Sequence, residues 1–368
     1  MSKQILQLCL SPDLGGLELY MQRLSSYLNN EIGIHVAVAQ NGKLASSLSE
    51  NVDLKMLQLH RHAWKNIFKN AKQLATYIDT NKIDLIHLHW TKDLPVSVLA
   101  KKLSKRKPKL VQSRHMNMTR FKSDFYHRWL YKNLDLMIAV TKQVQEQITQ
   151  YIPQEIRPAV RVSYIGAPTY QPLNKTSQEA LKEKYQLTDS FVITLAGRIE
   201  PAKGQELLID ALQTLNNPNV KVMFIGNPMD DGYLKQFKKR IADKELSSQV
   251  VFTGFVSNVQ DLMAISDCVV LATNKETFGM VLVEAMHTGT AVLASNSGGP
   301  LEIITPERDG LLFESQNSHD LSNKLATYIE AEDLRNKFAE SGRQKALSKF
   351  DSQQQFIEVL NLLNNVTR

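Results

Sequence analysis

Two carboxylates, Glu276 and Glu284, stand close together in the second half of the chain, with seven residues between them. Glu276 follows the apolar stretch 267–272, which is rich in β-branched residues, and Glu284 lies in a segment, 281–287, with helical character. Parallel α/β sheets bind ligands at the carboxyl ends of their strands, and Gly279 would let backbone N–H groups approach an anion or a hydroxyl. The pair could therefore bind a polar ligand. Alternatively, Glu276 caps the helix and Glu284 is a solvated surface residue.

Two cations occupy a second loop of the same kind, 197–204, which begins and ends with glycine. The loop follows the apolar run 191–195, so Arg198 and Lys203 are expected at the same sheet edge as Glu276. A guanidinium offers phosphate oxygens a planar fork of donors, and a lysine adds a compact charge. Two cations beside glycines suit a diphosphate, whereas a capped helix start with solvated charges would explain them without a ligand.

The elements that must position these residues alternate between strand and helix. In the first half, strands are predicted at 4–10, 34–39, 54–59, 84–88, 109–113, 136–140 and 161–165, with helices that include 64–80 and 141–151. In the second half, strands are predicted at 191–195, 220–225, 250–252, 268–272, 291–294 and 310–313. Strands separated by helical patterns indicate parallel sheets covered on both faces. The prediction is therefore an α/β protein with two doubly wound domains in tandem.

The boundary between the domains is predicted at 166–172, where two prolines and a glycine interrupt the alternation. From about residue 319 the chain has almost wholly helical periodicity. We therefore expect a first domain over 1–168, a second over 173–350 and a terminal helix over 351–368.

Near the amino terminus, Gly15 and Gly16 follow the first predicted strand and open a helix. The free N–H groups and the positive end of the helix dipole point the same way there, which makes a plausible anion site. A glycine turn between strand and helix is also common for packing reasons, so this pair indicates a site only together with other motifs.

The net charge of +7 hides an asymmetry between the two halves. Residues 1–170 hold 24 Lys+Arg against 12 Asp+Glu, whereas 171–368 hold 20 against 25. A basic half can face nucleic acid, an anionic membrane or a phosphorylated substrate, and charge alone does not choose among them. Within it, 101–109 concentrates six cations, and 121–132 interleaves aromatics with cations, as interfacial membrane helices do. A solvated helix end and an amphipathic helix with buried aromatics are the alternatives to a membrane-facing surface.

The cysteines, the amino-terminal residues and the acidic residues limit the compartments and cofactors with which the sequence is consistent. Cys9 and Cys268 lie far apart in apolar runs, so neither a disulfide framework nor a thiolate metal site is indicated, and a reducing cytoplasm is expected. The first ten residues are predicted to form a strand rather than a signal peptide, and no apolar run approaches the roughly 18 residues of a membrane-spanning helix. The sequence contains no Asp-x-Asp and no His/Cys cluster with ligand spacing, so no metal or other cofactor is expected.

Taken together, these motifs resemble the signatures of the family 4 retaining glycosyltransferases. The matching positions are Gly197-Arg198 with Lys203-Gly204, Glu276 with Glu284, Gly15-Gly16, His115 after a strand, and Gly298-Gly299-Pro300. The resemblance implies the GT-B fold, in which two Rossmann-like domains face each other across a cleft and the last helix crosses back to the first domain. The chain departs from the family pattern at Gly166-Ala167, where Asn-Gly is common, and at Met116, where an acidic residue often follows the histidine.

The resemblance also implies a role for each matching residue. Arg198 and Lys203 would bind the diphosphate of a nucleotide sugar and stabilise it as it leaves, because preorganised cations stabilise growing negative charge. Glu276 would hold hydroxyls of the sugar, and Glu284 would hold those of the ribose. His115 would lie near the sugar, although a lone histidine after a strand is often structural. The implied donor-binding residues are Gly15, Gly16, Arg198, Lys203, Val256, Glu276, Phe278, Gly279, Met280 and Glu284, and the implied catalytic residues are Glu276, Arg198, Lys203 and His115.

The expected function is retaining transfer of a hexose from a nucleoside diphosphate sugar to an acceptor hydroxyl, in bacterial lipopolysaccharide, capsule or exopolysaccharide synthesis. Retention in this family is usually explained by front-face attack, with the leaving phosphate taking the acceptor's proton. The expected partners are the sugar donor, a glycan or lipid-linked glycan acceptor and an anionic membrane surface, without nucleic acid. Alternatives are a non-hydrolysing sugar-nucleotide epimerase and a non-catalytic sugar-nucleotide-binding subunit. A dinucleotide oxidoreductase is disfavoured because no Gly-x-Gly-x-x-Gly follows the first strand.

Overall fold

The computed structural model describes residues 3–51, 54–60 and 65–366. The chain divides into two compact units, the first formed by Met1–Ile165 with Gln353–Arg368 and the second by Gly166–Ser352. The chain thus leaves the first unit at Ile165 and returns to it at Gln353.

Strands and helices alternate through both units. The strands are β1 (Ile5–Cys9), β2 (Ile34–Ala39), β3 (Lys55–Leu59), β4 (Leu85–Leu88), β5 (Lys109–Arg114), β6 (Leu136–Ala139), β7 (Ala159–Val162), β8 (Phe191–Ala196), β9 (Val220–Ile225), β10 (Val250–Gly254), β11 (Cys268–Leu271), β12 (Ala291–Ser295) and β13 (Leu311–Phe313). The helices are α1 (Gly16–Ile32), α2 (Lys43–Asn51), α3 (Ile67–Thr80), α4 (Leu94–Leu103), α5 (Phe125–Tyr131), α6 (Lys142–Tyr151), α7 (Lys175–Lys184), α8 (Gln205–Leu215), α9 (Asp231–Asp243), α10 (Val259–Ala264), α11 (Met280–Thr288), α12 (Pro300–Ile303), α13 (Ser318–Glu330), α14 (Glu332–Lys349) and α15 (Ser352–Val366).

The first unit is built on a parallel sheet with the strand order β3-β2-β1-β4-β5-β6-β7. Every residue of β1 and β2 is buried, as expected for strands whose two faces are both covered by helices. The strand order changes direction between β1 and β4, so the loops that follow these two strands flank a crevice at the carboxyl edge of the sheet.

The terminal helix α15 packs on the first unit. The Phe356 ring lies 5.9 Å from the Tyr20 ring and 5.6 Å from the Tyr27 ring, both on α1, measured between centroids. The Lys3 ammonium donates a hydrogen bond to the carbonyl of Asn364 at 2.9 Å. Residues at the two ends of the chain therefore stabilise the same unit.

The second unit contains a parallel sheet with the order β10-β9-β8-β11-β12-β13. Its core includes the buried side chains of Phe224, Phe237, Phe313 and Tyr328. The strand order changes direction between β8 and β11, so the loops 197–204 and 272–279 leave neighbouring strands at the same edge. This is the edge at which open α/β sheets bind ligands.

The predicted fold class is confirmed, and the predicted strands are found with ends that shift by a few residues. The largest shift is in β7, which ends at Val162 rather than at residue 165. The helix predicted from residue 64 begins at Ile67, and residue 64 lies outside the described residues. The aromatic and basic stretch 121–132 is helical only over Phe125–Tyr131, because Asp124 caps α5 by accepting a hydrogen bond from the His127 N–H at 3.1 Å.

Candidate functional site

The carboxyl edge of the second unit brings together two of the residues singled out by the sequence. Lys203 lies on the loop after β8 and Glu276 on the loop after β11, and the Lys203 Nζ is 3.6 Å from the Glu276 Oε2. The two side chains keep about a quarter and a fifth of their surface exposed. A paired cation and carboxylate thus stand at the point where the strand order reverses, within reach of solvent.

Gly204 allows the two loops to approach each other. Its φ is +75°, and a Cβ at this position would lie 2.3 Å from the carbonyl oxygen of Ala272. An L side chain would therefore be strained by the backbone conformation and would collide with the backbone at the end of β11. The contact seats the lysine-bearing loop against the strand that leads to Glu276.

Arg198 lies at the same edge but has other partners. Its Nη2 is 3.2 Å from the Glu200 Oε1, its Nη1 is 3.6 Å from the Met229 Sδ, and its side chain is 60% exposed. The buried Gln205 side chain donates to the Arg198 carbonyl at 2.8 Å, which fixes the loop backbone under the guanidinium. Arg198 can reach a ligand from the solvent side. The contacts of Glu200 on this loop and of Gln205 at the start of α8 are ones that the motif did not reveal.

Glu276 is held in place by a pair of glycines that follow β12. The Gly299 N–H donates to the Glu276 carbonyl at 3.0 Å, and a Cβ on Gly298, whose φ is +74°, would stand 2.2 Å from that carbonyl oxygen. A Cβ on Gly299 would come equally close to the carbonyl oxygen of Phe278. The Glu276 carboxylate also accepts a hydrogen bond from the Thr277 N–H at 3.2 Å. The loop backbone is therefore fixed by close backbone contact.

The two carboxylates lie on different elements, Glu276 on the loop before α11 and Glu284 on α11 itself. The residue that caps its amino end is Gly279, with φ +106°, so the interpretation of Glu276 as the helix cap is wrong. Phe278 is buried and packs against the Phe350 ring at 6.0 Å between centroids, whereas Glu284 is half-buried on the helix. Glu276 and Glu284 belong to different elements and can contact different parts of one ligand.

The remaining predicted residue of this edge follows β10. Val256 is half-buried, and Phe255 before it is 76% exposed. The Phe255 N–H donates to the Asn227 side chain at 3.1 Å, which ties this turn to the loop after β9. An exposed aromatic ring beside Val256 offers a flat apolar surface that a nucleobase could contact.

In the first unit, the predicted glycine pair begins α1. The Gly15 N–H donates to the buried carboxylate of Glu18 at 2.8 Å, so this helix has its own acceptor at the amino end. A Cβ placed on Gly16 would have no contact within 4 Å in the described structure apart from its own chain neighbours and helix backbone. Gly16 therefore faces open space, while the N–H of Gly15 is engaged. The Glu18 contact could be predicted from its position three residues after Gly15.

His115 follows β5, is half-buried, and contacts a row of buried polar side chains that the sequence motif does not reveal. Its Nε2 is 3.3 Å from the Nδ1 of His89, and the His89 ring packs 4.3 Å from the His87 ring between centroids. Burial lowers the pKa of His115 and of His87 to about 3, and it holds the pKa of His89 well below its ordinary value. All three imidazoles are therefore neutral at neutral pH.

Among residues 3–51, 54–60 and 65–366, no three His, Cys, Asp or Glu side chains are placed to hold a metal ion. Within the same ranges, no helix combines the length and apolar character needed to cross a bilayer.

Two family profiles match the chain, one in each half. The profile of the "Glycosyl transferases group 1" family matches residues 177–345, and the profile "Glycosyl transferase 4-like" matches residues 7–143. The first match contains both loops of the Lys203–Glu276 pair, and the second contains the glycine pair and His115.

Related sequences and solved structures point the same way. The chain is 30% identical over 222 residues to the lipopolysaccharide 1,2-N-acetylglucosaminetransferase of Salmonella typhimurium, which covers 56% of this chain and 57% of that protein. The crystal structure of a glycosyltransferase from Rickettsia africae superposes with a TM-score of 0.91 at 21% identity, covering 100% of this chain and 99% of that one. HepE of Anabaena, solved with UDP and glucose, has a TM-score of 0.85 at 24% identity, with coverages of 99% and 100%. At these identities the two structures establish the fold.

Proposed function

Because the chain belongs to the group 1 glycosyltransferases and has their GT-B fold, we propose that it is a retaining enzyme that transfers a hexose from a nucleoside diphosphate sugar to an acceptor hydroxyl. The observation that carries this proposal is the Lys203–Glu276 pair, whose nitrogen and oxygen are 3.6 Å apart at the carboxyl edge of the second sheet. The cation can pair with the charge of a diphosphate, and the carboxylate can accept hydrogen bonds from sugar hydroxyls.

The chemical role of this edge follows from its charges. When the bond between the anomeric carbon and the phosphate breaks, negative charge grows on the diphosphate. The close contact of Gly204 with Ala272 holds the loop that carries Lys203, so this cation is preorganised near the growing charge. Arg198 reaches the same charge from the solvent side. We propose that these fixed cations stabilise the leaving group without a metal, and that the leaving phosphate accepts the proton of the attacking hydroxyl on the same face.

The donor and the pathway are part of the same proposal. HepE of Anabaena was solved with UDP and glucose, and the relative from Salmonella typhimurium is named for N-acetylglucosamine transfer in lipopolysaccharide. These relatives support a uridine diphosphate hexose as donor and a bacterial surface glycan as acceptor.

A thermal-shift screen against UDP-, GDP- and ADP-sugars tests the donor. We expect one nucleotide class to raise the melting temperature in a concentration-dependent manner, because a ligand that binds only the folded state stabilises it. The purified protein is then incubated with that donor and an acceptor glycan. Transfer with retained anomeric configuration supports the proposal. Interconversion of the free sugar nucleotide would point to an epimerase, and binding without turnover would point to a non-catalytic subunit.

Replacing Glu276 with glutamine should impair sugar transfer far more than binding of the bare nucleoside diphosphate. The carboxylate loses its charge-assisted hydrogen bonds to sugar hydroxyls, which corresponds to about a 10- to 100-fold loss of kcat/KM. Isothermal titration with the diphosphate and steady-state transfer rates are compared for the two proteins. Glu284→Gln is the matched control, for which we expect weaker binding of the diphosphate. Equal losses in both assays for Glu276→Gln would mean that this residue only shapes the pocket.

We also propose that the first unit binds an anionic membrane surface, where a lipid-linked acceptor would be found. Phe121 and Phe125 are 64% and 87% exposed, and Arg120 and Lys122 flank the first of them. The loop is anchored, because the buried Arg114 donates to the carbonyls of Met116 at 2.7 Å and Asn117 at 2.8 Å. Two apolar rings beside cations, Phe121 on this anchored loop and Phe125 at the start of α5, fit the boundary between headgroups and acyl chains.

The basic run 101–109 lies in the same unit, and part of its charge is paired. Lys101 donates to the Asn133 carbonyl at 3.1 Å and to the Asp135 carboxylate at 2.8 Å, which joins the run to the segment after α5. Lys109 pairs with Asp135 at 3.0 Å, and Arg106 pairs with Asp84 at 2.5 Å. Because several cations of the basic run are already paired, the exposed aromatic side chains are the stronger argument for membrane binding.

Sedimentation with vesicles tests the membrane proposal. We expect the protein to bind vesicles rich in phosphatidylglycerol at low salt and to bind neutral phosphatidylcholine vesicles weakly. The double variant Phe121→Ser/Phe125→Ser should bind about tenfold more weakly or worse, since two exposed rings lose their apolar contact. Phe68→Ser removes another phenylalanine of this unit, 75% exposed on α3, and is the matched control. Equal binding of the double variant and the wild type would refute this surface.

A further inference from the structure

Three side chains in the first unit form a continuous hydrogen-bonded chain that ends at His115. Gln7 lies on β1, His89 directly follows β4, and His115 directly follows β5, so they come from three adjacent strands. The His89 Nε2 is 2.8 Å from the Gln7 Oε1, and the His89 Nδ1 is 3.3 Å from the His115 Nε2. Gln7 and His89 are fully buried. The Gln7–His89 contact is thus shielded from water, whereas the His89–His115 contact is partly buried.

The orientation of the Gln7 amide, whose oxygen faces His89, sets the position of each proton. The two imidazoles are neutral, because burial lowers both pKa values, and a neutral imidazole carries one N–H and one bare nitrogen. The Gln7 Oε1 can only accept, so the His89 Nε2 carries the proton and the His89 Nδ1 is bare. That bare nitrogen accepts from the His115 Nε2, which must therefore be protonated.

This arrangement of hydrogen bonds leaves one nitrogen of His115 without a proton. The His115 Nδ1 has no hydrogen-bond partner among the residues that the structure describes. An unpaired acceptor is costly in a buried site unless a ligand or water completes it. A hydroxyl group is the donor that this nitrogen lacks, and sugars are rich in hydroxyls.

We propose that Gln7 and His89 are positioning residues that hold His115 in a single tautomer, protonated on Nε2, so that its Nδ1 accepts a hydrogen bond from a sugar hydroxyl. The tautomer follows from the geometry of the first unit alone. The assignment of the hydroxyl to a sugar rests on the proposed glycosyl transfer. Gln7 and His89 act through His115 and touch no substrate themselves.

The buried Tyr20 supports the same arrangement from α1. Its ring stands edge-on to the His115 ring at 5.0 Å and to the His89 ring at 5.9 Å, measured between centroids. The aromatic contacts restrict rotation of the imidazoles about their side-chain bonds. Packing as well as hydrogen bonding thus restrains His115. A side chain that presents one particular nitrogen to a ligand has to be held in a single orientation.

Nitrogen NMR of the full-length protein labelled with 15N-histidine reads the tautomer directly. In the wild type we expect His115 to show a protonated Nε2 and a bare Nδ1. Gln7→Met removes the accepting oxygen at similar volume, so His89 is no longer fixed and the signals of His115 should shift toward a mixture of tautomers. The same variant should raise the KM for the sugar donor by about two- to tenfold, as the fraction of His115 protonated on Nε2 falls to between one half and one tenth.

Ser113→Ala is the matched control. Ser113 is also buried and bonds His87 at 2.8 Å on the same sheet, outside the chain that reaches His115. We expect this variant to leave the His115 tautomer unchanged. Protonation of His115 on Nδ1 in the wild type would overturn the proposal, and so would an unchanged His115 spectrum in Gln7→Met. Failure of the glycosyl-transfer proposal would instead appear as an absence of sugar-nucleotide binding, with the tautomer intact.

Discussion

Lys203→Ala should lower the turnover of the sugar donor by on the order of a hundredfold or more while the fold stays intact. The ammonium stands 3.6 Å from Glu276 on a loop that Gly204 seats against the end of β11. A cation fixed in this way does not have to reorganise as charge grows on the leaving diphosphate, so its loss raises the barrier of the chemical step. Single-turnover rates at saturating donor measure the chemical step, and a thermal melt of the variant checks that the fold is intact.

Lys244→Ala provides the control for this measurement. Lys244 belongs to the same unit, has a similarly half-buried side chain, and pairs with Asp210 at 3.2 Å at the far end of α9. Its removal costs a comparable ion pair, but the residue is not part of the edge that carries Lys203 and Glu276. We expect turnover to change less than threefold, because losing an ion pair near the surface alters the free energy of folding only slightly and leaves the site unchanged. If Lys203→Ala behaved like this control, Lys203 would have no part in the mechanism.

Gly204→Ala should destabilise the second unit by about 2 to 5 kcal/mol, which lowers its melting temperature by roughly 5 to 15 °C. Two costs add at this position. An alanine with a φ of +75° is strained, and its Cβ would stand 2.3 Å from the carbonyl oxygen of Ala272, so the two loops would have to separate. Differential scanning calorimetry of the full chain, without ligand, records the effect.

Gly254→Ala separates the two costs. Gly254 has nearly the same backbone conformation, with φ +69°, but a Cβ there would come no closer than 3.7 Å to its nearest neighbour, the Asn227 side chain. This variant should pay only the conformational cost, about 1 to 2 kcal/mol. Equal melting temperatures for Gly204→Ala and Gly254→Ala would show that the approach of the two loops contributes nothing to stability.

Much of this architecture could be predicted because parallel α/β sheets leave a strong periodic signal. Strands buried on both faces are nearly continuous apolar runs, and the carboxyl ends of neighbouring strands meet at one edge. That reasoning places Lys203 and Glu276 at the same edge of the second unit, and the structure brings them within 3.6 Å. Motif spacing was sufficient here because both residues lie close to strand ends.

Other parts of the site depend on contacts that spacing does not encode. The partner of Arg198 is Glu200, two residues away on the same loop, and nothing in the residue types distinguishes it from a solvated charge. The requirement for glycine at 298 arises from the backbone of residue 276, which is remote in sequence. The link from Gln7 through His89 to His115 joins three strands, so it is visible only when their register is known.

The return of the chain to the first unit at Gln353 has a consequence for synthesis on the ribosome. The first unit is discontinuous: its sheet is translated before residue 166, but Phe356, which packs on Tyr20 and Tyr27, emerges only after the second unit is complete. At elongation rates of about 5 to 20 residues per second, the intervening stretch of nearly two hundred residues takes roughly 10 to 40 s to make. During that interval Tyr20 and Tyr27 on α1 lack their contact with Phe356, so the first unit can complete its packing only after the second unit has been synthesised.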